Sequence, residues 1–261
     1  MPAGRPGIFA TMELSSGRYW ATKQTFGICL PDFYGVFLQE SGQVIGFFFC
    51  YAYGFAFLKH TERELTLTDY VDDGVLTARQ REIILGAIRD RKNIIAAGGT
   101  KSGKTTFLNA ILAEISKTDD RIVILEDTRE LKCTARNYLS LKVTENRSMS
   151  DLLRDTLRAT PDRIVVGEVR GDEALALLDA WNTGHDGGCS TVHSSSALLT
   201  LRRLEQLVSR VSVSPQQETI AGAVDVIVYL RRRGTGRVVE EILGIDGYDP
   251  EKGKYVVHEL R

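Results

Sequence analysis

The stretch that most constrains this chain is residues 98–105, G-G-T-K-S-G-K-T, which satisfies the spacing G-x-x-x-x-G-K-T. It follows the apolar run Ile94–Ala97 and precedes a segment in which Leu108, Ile111, Leu112 and Ile115 recur at helical spacing. A buried strand, a tight turn and an amphipathic helix in that order make a phosphate-binding loop. Gly98 and Gly103 allow backbone angles and close approaches that a Cβ would block. The turn through Gly99, Thr100, Lys101 and Ser102 then faces its N–H groups inward around an anion. The helix entered at Lys104, Thr105 and Thr106 adds its positive end. Lys104 supplies a point charge for the β- and γ-phosphates, and the Thr105 hydroxyl is placed to ligate Mg²⁺. ATP and Mg²⁺ are the expected ligands. Lys101 occupies a formally free position where many such loops carry glycine, adding a cation beside the phosphates.

Around this loop the chain alternates. Thr77 and Gln80 form a capping box ahead of an apolar stripe of Ile83, Ile84, Ala87 and Ile88. Strands are expected at Ile122–Leu125, Tyr138–Val143, Ile164–Val166 and Ser190–Val192. Helices are expected after Ser148, from Asp172 to Trp181, from Ala197 to Val211, and from Ser214-Pro215 onward. Asp225–Arg231, Arg237–Ile245 and Lys254–Leu260 read as a β-meander. This pattern predicts an α/β fold: a mostly parallel sheet covered by helices, with an antiparallel C-terminal extension. Residues 1–58 differ, holding nine of the ten phenylalanines, and Gly42–Leu58 reads as one or two aromatic strands. The expected organisation is an atypical N-terminal region at 1–58, a linker with a short helix capped by Thr68 at 59–76, and the phosphate-loop domain at 77–261.

In parallel sheets, ligands sit outside the carboxyl ends of the strands. Four apolar strands end in Gly98, Glu126-Asp127, Gly167-Glu168 and His193. Side by side, they bring the loop, two acidic sites and an imidazole to one edge. ATP hydrolysis needs held phosphates, a placed Mg²⁺, an oriented water and neutralised transition-state charge. Lys104 and the loop meet the first need. Thr105, with Glu168 acting through water, meets the second. Glu126 is the candidate for orienting water, with Arg129 holding its carboxylate ionised. Arg129, Arg158 and Arg170 are candidates for charge neutralisation. Glu168 is expected on the strand next to the loop strand. His193 is placed to hydrogen-bond a γ-phosphate, whereas His185 reads as structural. Their spacing in G-H-D-G-G-C-S-T-V-H is not that of a zinc helix.

The net charge of −1 gives no electrostatic support for coating nucleic acid. The four cysteines are widely spaced without a C-x-x-C, so neither a zinc knuckle nor a disulfide framework is suggested. The longest apolar run, Val44–Leu58, is shorter than the roughly 20 residues of a spanning helix and is broken by Gly46 and Gly54. A cytoplasmic protein with peripheral membrane contact is expected.

Four blocks occur in order: G-G-T-K-S-G-K-T-T, I-L-E-D-T-R-E-L, T-P-D-R-I-V-V-G-E-V-R-G-D-E-A-L and N-T-G-H-D-G-G-C-S-T-V-H-S-S-S-A. They resemble the Walker A, Asp box, Walker B and His box of the secretion ATPases that serve type II and type IV systems and type IV pili, and are most similar to the conjugal-transfer (TrbB-type) branch. The resemblance spans about residues 57–245. It implies a RecA-like core, a hexameric ring, and ATP-driven work at the inner membrane with secretion or conjugation proteins as partners. It also implies Lys104 and Thr105 on nucleotide and magnesium, Glu126 as catalytic acid, Glu168 as the Walker B acid and His193 as the His-box residue. Residues 1–56 do not resemble the longer N-terminal domain usual in that family, so the arginines that domain supplies are not carried over. The leading function is a motor ATPase of type IV secretion or conjugation. The alternatives are a pilus or type II secretion ATPase, and a nucleotide-dependent switch or scaffold with weak hydrolysis.

Overall fold

The computed structural model describes residues 65–234 and 236–261, and the backbone of five strands within residues 9–58. The chain divides into two compact units, Met1–Glu64 and Leu65–Arg261. In the first, β1 (Phe9–Leu14), β2 (Gly17–Thr22), β3 (Tyr34–Glu40), β4 (Gln43–Cys50) and β5 (Tyr53–Leu58) form an antiparallel sheet in sequence order. The aromatic stretch at 42–58 is thus two paired strands, with Phe48 opposite Phe55. The burial expected of that pair, the thiols of Cys29 and Cys50, and the 59–64 part of the expected linker lie outside the described residues.

The second unit opens with α1 (Leu67–Asp72). Its cap is Thr66 and not Thr68: the Thr66 hydroxyl accepts from the Asp69 N–H, and Asp69 reaches back to the Thr66 N–H at 2.8 Å. Thr68 lies inside the helix because the reciprocal box needs an acid three residues on, and Asp69 serves Thr66. Leu67, Tyr70 and Leu76 are buried with Phe107, so residues 65–76 pack into this unit's core. Helix α2 (Ala78–Arg89) carries the Thr77–Gln80 box.

Then follow β6 (Ile94–Gly98), α3 (Lys104–Ile115), β7 (Ile122–Glu126), β8 (Tyr138–Lys142), α4 (Met149–Thr156) and β9 (Arg163–Val169). After these come α5 (Glu173–Asn182), β10 (Cys189–His193), α6 (Ala197–Val208), α7 (Gln217–Ala223), β11 (Val226–Arg233), β12 (Gly236–Asp249) and β13 (Lys254–Glu259). The sheet order is β13-β12-β11-β6-β10-β9-β7-β8. Every pairing from β11 to β8 is parallel, and β12 and β13 extend the sheet antiparallel.

Both faces of the central strands are buried, and side-chain alternation divides them between two cores. Ile95, Ala97, Val123 and Leu125 point to a core built with α4–α7. Ile94, Ala96, Ile122 and Ile124 point to one built with α1–α3. The strands that carry the four motifs are consecutive in the sheet, in the order β6, β10, β9, β7. The expected neighbour relation is corrected on one point: β10, not β9, lies beside the loop strand, and β9 is one strand further out. Strand order across a parallel sheet is set by crossover packing, which the linear order of motifs does not encode.

Candidate active site

The loop is closed by steric necessity. A Cβ on Gly98 would lie 2.4 Å from the Leu230 carbonyl and 2.5 Å from Ser102 Oγ, so only glycine fits. Gly103 has φ +91°, the left-handed region, and is the cap of α3 without a side-chain bond to the helix start. The first N–H groups of α3 are therefore open to an outside acceptor. Lys101, at the position noted in the sequence, has φ +60° and is exposed. Gly99 and Thr100 are also exposed, while Ser102 is buried with its hydroxyl unpartnered.

Lys104 is buried at the start of α3. Its Nζ donates to the Gly99 carbonyl at 3.0 Å and lies 3.4 Å from His193 Nδ1. Burial lowers its pKa, opposed by the charge of Glu168. An ammonium only donates, so the tautomer that suits this contact has a bare Nδ1 and a proton on Nε2. Nε2 lies 3.0 Å from Glu168 Oε1, at ion-pair distance but outside hydrogen-bond alignment. Burial, then the charges of Lys104, Arg170 and Arg203, lower the His193 pKa and favour the neutral ring.

Glu126 ends β7 at 3% exposure. Its Oε1 accepts the N–H groups of Glu130 and Leu131 at 2.8 and 2.7 Å, whereas Oε2 is buried and unpartnered. Burial raises its pKa above the ordinary carboxylate range. The two backbone donors oppose that shift, and Arg129 is the weakest influence on it. This corrects the expectation that Arg129 holds the carboxylate ionised, because that arginine is exposed and its field is screened. Glu168 also has a raised pKa, from burial first, with Lys104 lowering it and Glu130 and Glu173 raising it. Glu126, Asp127, Gly167, Glu168, Arg170 and Thr105 border one cavity of about 120 Å³.

Arg170 pairs with Asp127, joining the ends of β9 and β7, and its Nε lies 3.7 Å from Glu168 Oε2. It therefore has acidic partners within the chain. Arg158 sits in a short 3-10 turn (Leu157–Ala159) ahead of β9, at the amino end of the sheet and away from the loop. His185 is there too, its Nδ1 2.9 Å from the Pro161 carbonyl, as a structural reading requires. Glu173 carries a role its sequence position did not reveal. Its buried carboxylate accepts from the Arg170 and Gly171 N–H groups at 2.6 and 2.9 Å and shapes the turn after β9. The available signal was an acid in the first turn of a helix.

Three unpartnered polar atoms, Ser102 Oγ, Glu126 Oε2 and Glu168 Oε1, lie around the loop. With the glycine turn and an open helix start, they fit a bound phosphate, its water and a hard cation held by oxygen.

The family described as "Type II/IV secretion system protein" matches residues 57–237. The chain belongs to this family. It is 51% identical over 196 residues to a conjugal transfer protein TrbB of Rhizobium radiobacter, covering 74% of this chain and 61% of the relative. It is 47% identical over 205 residues to a probable conjugal transfer protein TrbB of Sinorhizobium fredii, covering 78% and 62%. The chain thus spans about three fifths of the length of these relatives. Among solved structures it resembles the VirB11 ATPase of the Brucella suis type IV secretion system in complex with sulphate. That match has a TM-score of 0.57 at 26% identity, covering 90% of this chain and 73% of that one. The family's RecA-like sheet accounts for the mixed architecture expected from the sequence. Among the described residues no helix is long and apolar enough to cross a membrane.

Proposed function

We propose that residues 65–261 form an ATP-hydrolysing domain that drives a type IV secretion or conjugative transfer system. The observation that carries this reading is the convergence of Lys104, Glu126, Glu168 and His193 on the loop edge of one sheet, in a chain of the secretion family. The loop N–H groups hold the phosphates, and Lys104 neutralises charge on the β- and γ-oxygens. The unpartnered Oε2 of Glu126 takes a proton as a water oxygen bonds to the γ-phosphorus. The bond from that phosphorus to the β–γ bridging oxygen breaks, and ADP leaves with the electron pair. Oε1 cannot do this because two backbone donors already occupy it. Mg²⁺, when bound, neutralises charge on the phosphate oxygens, and Thr105 with Glu168, the latter through water, would hold it. His193 lies between Lys104 and Glu168, and as a neutral ring it senses loss of the γ-phosphate. Arg170, anchored by Asp127, is the cation beside Glu168, and the exposed Arg129 is the further candidate for neutralising transition-state charge.

The family and the similar conjugal transfer relatives support self-assembly, with six copies in a ring. They also support peripheral work at the cytoplasmic side of an inner membrane with secretion or conjugation proteins. The decisive experiment is ATP turnover by wild type and Lys104→Ala, with circular dichroism as a control on folding. Loss of the preorganised charge costs at least roughly 3 kcal/mol in the transition state, so turnover falls at least ~100-fold. Near-normal turnover with an intact spectrum would remove the loop assignment. Light scattering with an ATP analogue tests the ring, and a strict monomer would exclude it.

A further inference from the structure

Sheet order gives the loop two flanks. On one, β10, β9 and β7 carry His193, Glu168 and Glu126. On the other, β11 runs beside β6 with Leu230 opposite Gly98, and β12 returns antiparallel with Arg237 near its start. Arg237 is half-buried, and its stem lies on the loop. A Cβ placed on Gly103 would come within 2.7 Å of Arg237 Cδ, 3.0 Å of Nε and 3.6 Å of Cζ. Its charge also reaches the buried phenol of Tyr70, whose ring packs edge-on against Phe107 of α3 with centroids 5.4 Å apart. A guanidinium is thereby seated at the start of the helix that follows the loop. Among the described residues it forms no ion pair, whereas Arg231 and Arg233 of the same hairpin both pair with Glu240. Partial burial of an unpaired cation is unfavourable, and an arriving anion relieves it.

We propose, on the reading that the loop holds a nucleotide, that Arg237 is a binding residue for the diphosphate of ADP or ATP. It acts in cis from the flank opposite the acids. The γ-phosphate must face Glu126 and Glu168, so the remainder of the nucleotide extends past Gly103 toward the β11–β12 side. A charge placed there contacts product and substrate alike. It contributes to affinity for both nucleotides and not to the chemical step.

The experiment titrates ADP into the full chain as wild type, R237Q, R237M, R237K and K104A, with ATP kinetics and nucleotide-free melting in parallel. R237M keeps the stem on Gly103 and removes only the charge. A charge-assisted contact of ordinary strength predicts roughly tenfold weaker ADP binding in R237Q and R237M. KM for ATP rises in step, kcat stays within about twofold, and R237K recovers part of the loss. Nucleotide-free melting is unchanged. ADP affinity within about twofold of wild type in both neutral variants overturns the assignment while K104A still loses binding. Loss of the nucleotide-free fold in both assigns Arg237 a structural role and also overturns it. Failure of wild type to bind ADP removes the nucleotide reading itself.

Discussion

The two edges of the large sheet are built on opposite principles. At the amino ends of the strands, Arg163 is 3% exposed and fully engaged. Its Nε meets Asp120 at 2.5 Å, Nη1 donates to the Gly187 carbonyl at 3.0 Å, and Nη2 donates to the Ile88 carbonyl at 3.3 Å. Asp120 also takes Arg91 at 2.9 Å. Gly187 has φ +82°, and a Cβ there would fall 2.5 Å from Nη1, so the turn is shaped around the guanidinium. At the carboxyl ends, charges are equally close but incompletely paired. Glu126 and Glu168 each keep a bare buried oxygen, and Ser102 keeps a bare hydroxyl. Burial works against ionisation of Asp120, yet the bond and charge of Arg163, helped by Thr118 and Arg91, hold its pKa below the ordinary range. No such partner rescues Glu126, and its pKa rises. The same fold thus satisfies one edge and leaves the other open for a ligand. The first edge supports stability and the second chemistry.

The largest expected effect comes from breaking the closed edge. Arg163→Met leaves Asp120 Oδ2 without its guanidinium, with Arg91 still on Oδ1, and bares the Gly187 and Ile88 carbonyls, costing about 3 kcal/mol. At this unit's size that lowers the melting temperature by roughly 6–12 °C. Thermal melting by circular dichroism measures it, and a drop under about 2 °C would mean this network does not set stability.

Next in size, and opposite in kind, is Glu126→Gln at the open edge. The amide oxygen can still accept from Glu130 and Leu131, so Mg-ATP binding and melting should hold while hydrolysis slows at least ~100-fold, the scale for losing a general base. Glu168→Gln should slow hydrolysis and also raise the Mg²⁺ concentration for half-maximal turnover. Nucleotide titration with magnesium-dependent kinetics separates the two. Identical behaviour, or control of the chemical step by Glu168 alone, reverses the assigned roles.

The smallest effect sharpens the contrast through pH. A base must be ionised to act, so a raised Glu126 pKa puts the acid limb of turnover above the ordinary carboxylate range. Stability from the depressed Asp120 is present above its unfolded pKa and lost only as pH falls through the lower folded value. Activity should therefore disappear on acidification while the fold persists. A pH series of turnover and ellipticity checks this, and coincident loss of both would contradict it.

Local chemistry was legible in the sequence because its causes are local. Spacing of glycines, Lys104 and Thr105 implied the loop, a capping box marked α2, Ser148 marked the start of α4, and short apolar runs marked the central strands. The acids and His193 were placed at strand ends because each directly follows an apolar run. Thr66 in place of Thr68 as the α1 cap was a local choice between near neighbours, settled by where Asp69 reaches. What remained hidden depends on contacts far apart in the chain. β10 lies between β6 and β9 only because of how the crossover helices pack. The turn after β7 gives the Glu130 and Leu131 N–H groups to Glu126 Oε1, but it is the packed sheet that buries the bare Oε2. Arg237 reaches the loop edge by tertiary placement, and no pattern around it relates it to Gly103 more than 130 residues earlier. The sequence by itself determined the elements and their reactive residues, because periodicity and turn chemistry act over a few residues. The tertiary structure alone decided strand neighbours, burial and unpaired atoms, because each depends on which distant groups exclude water from the same place.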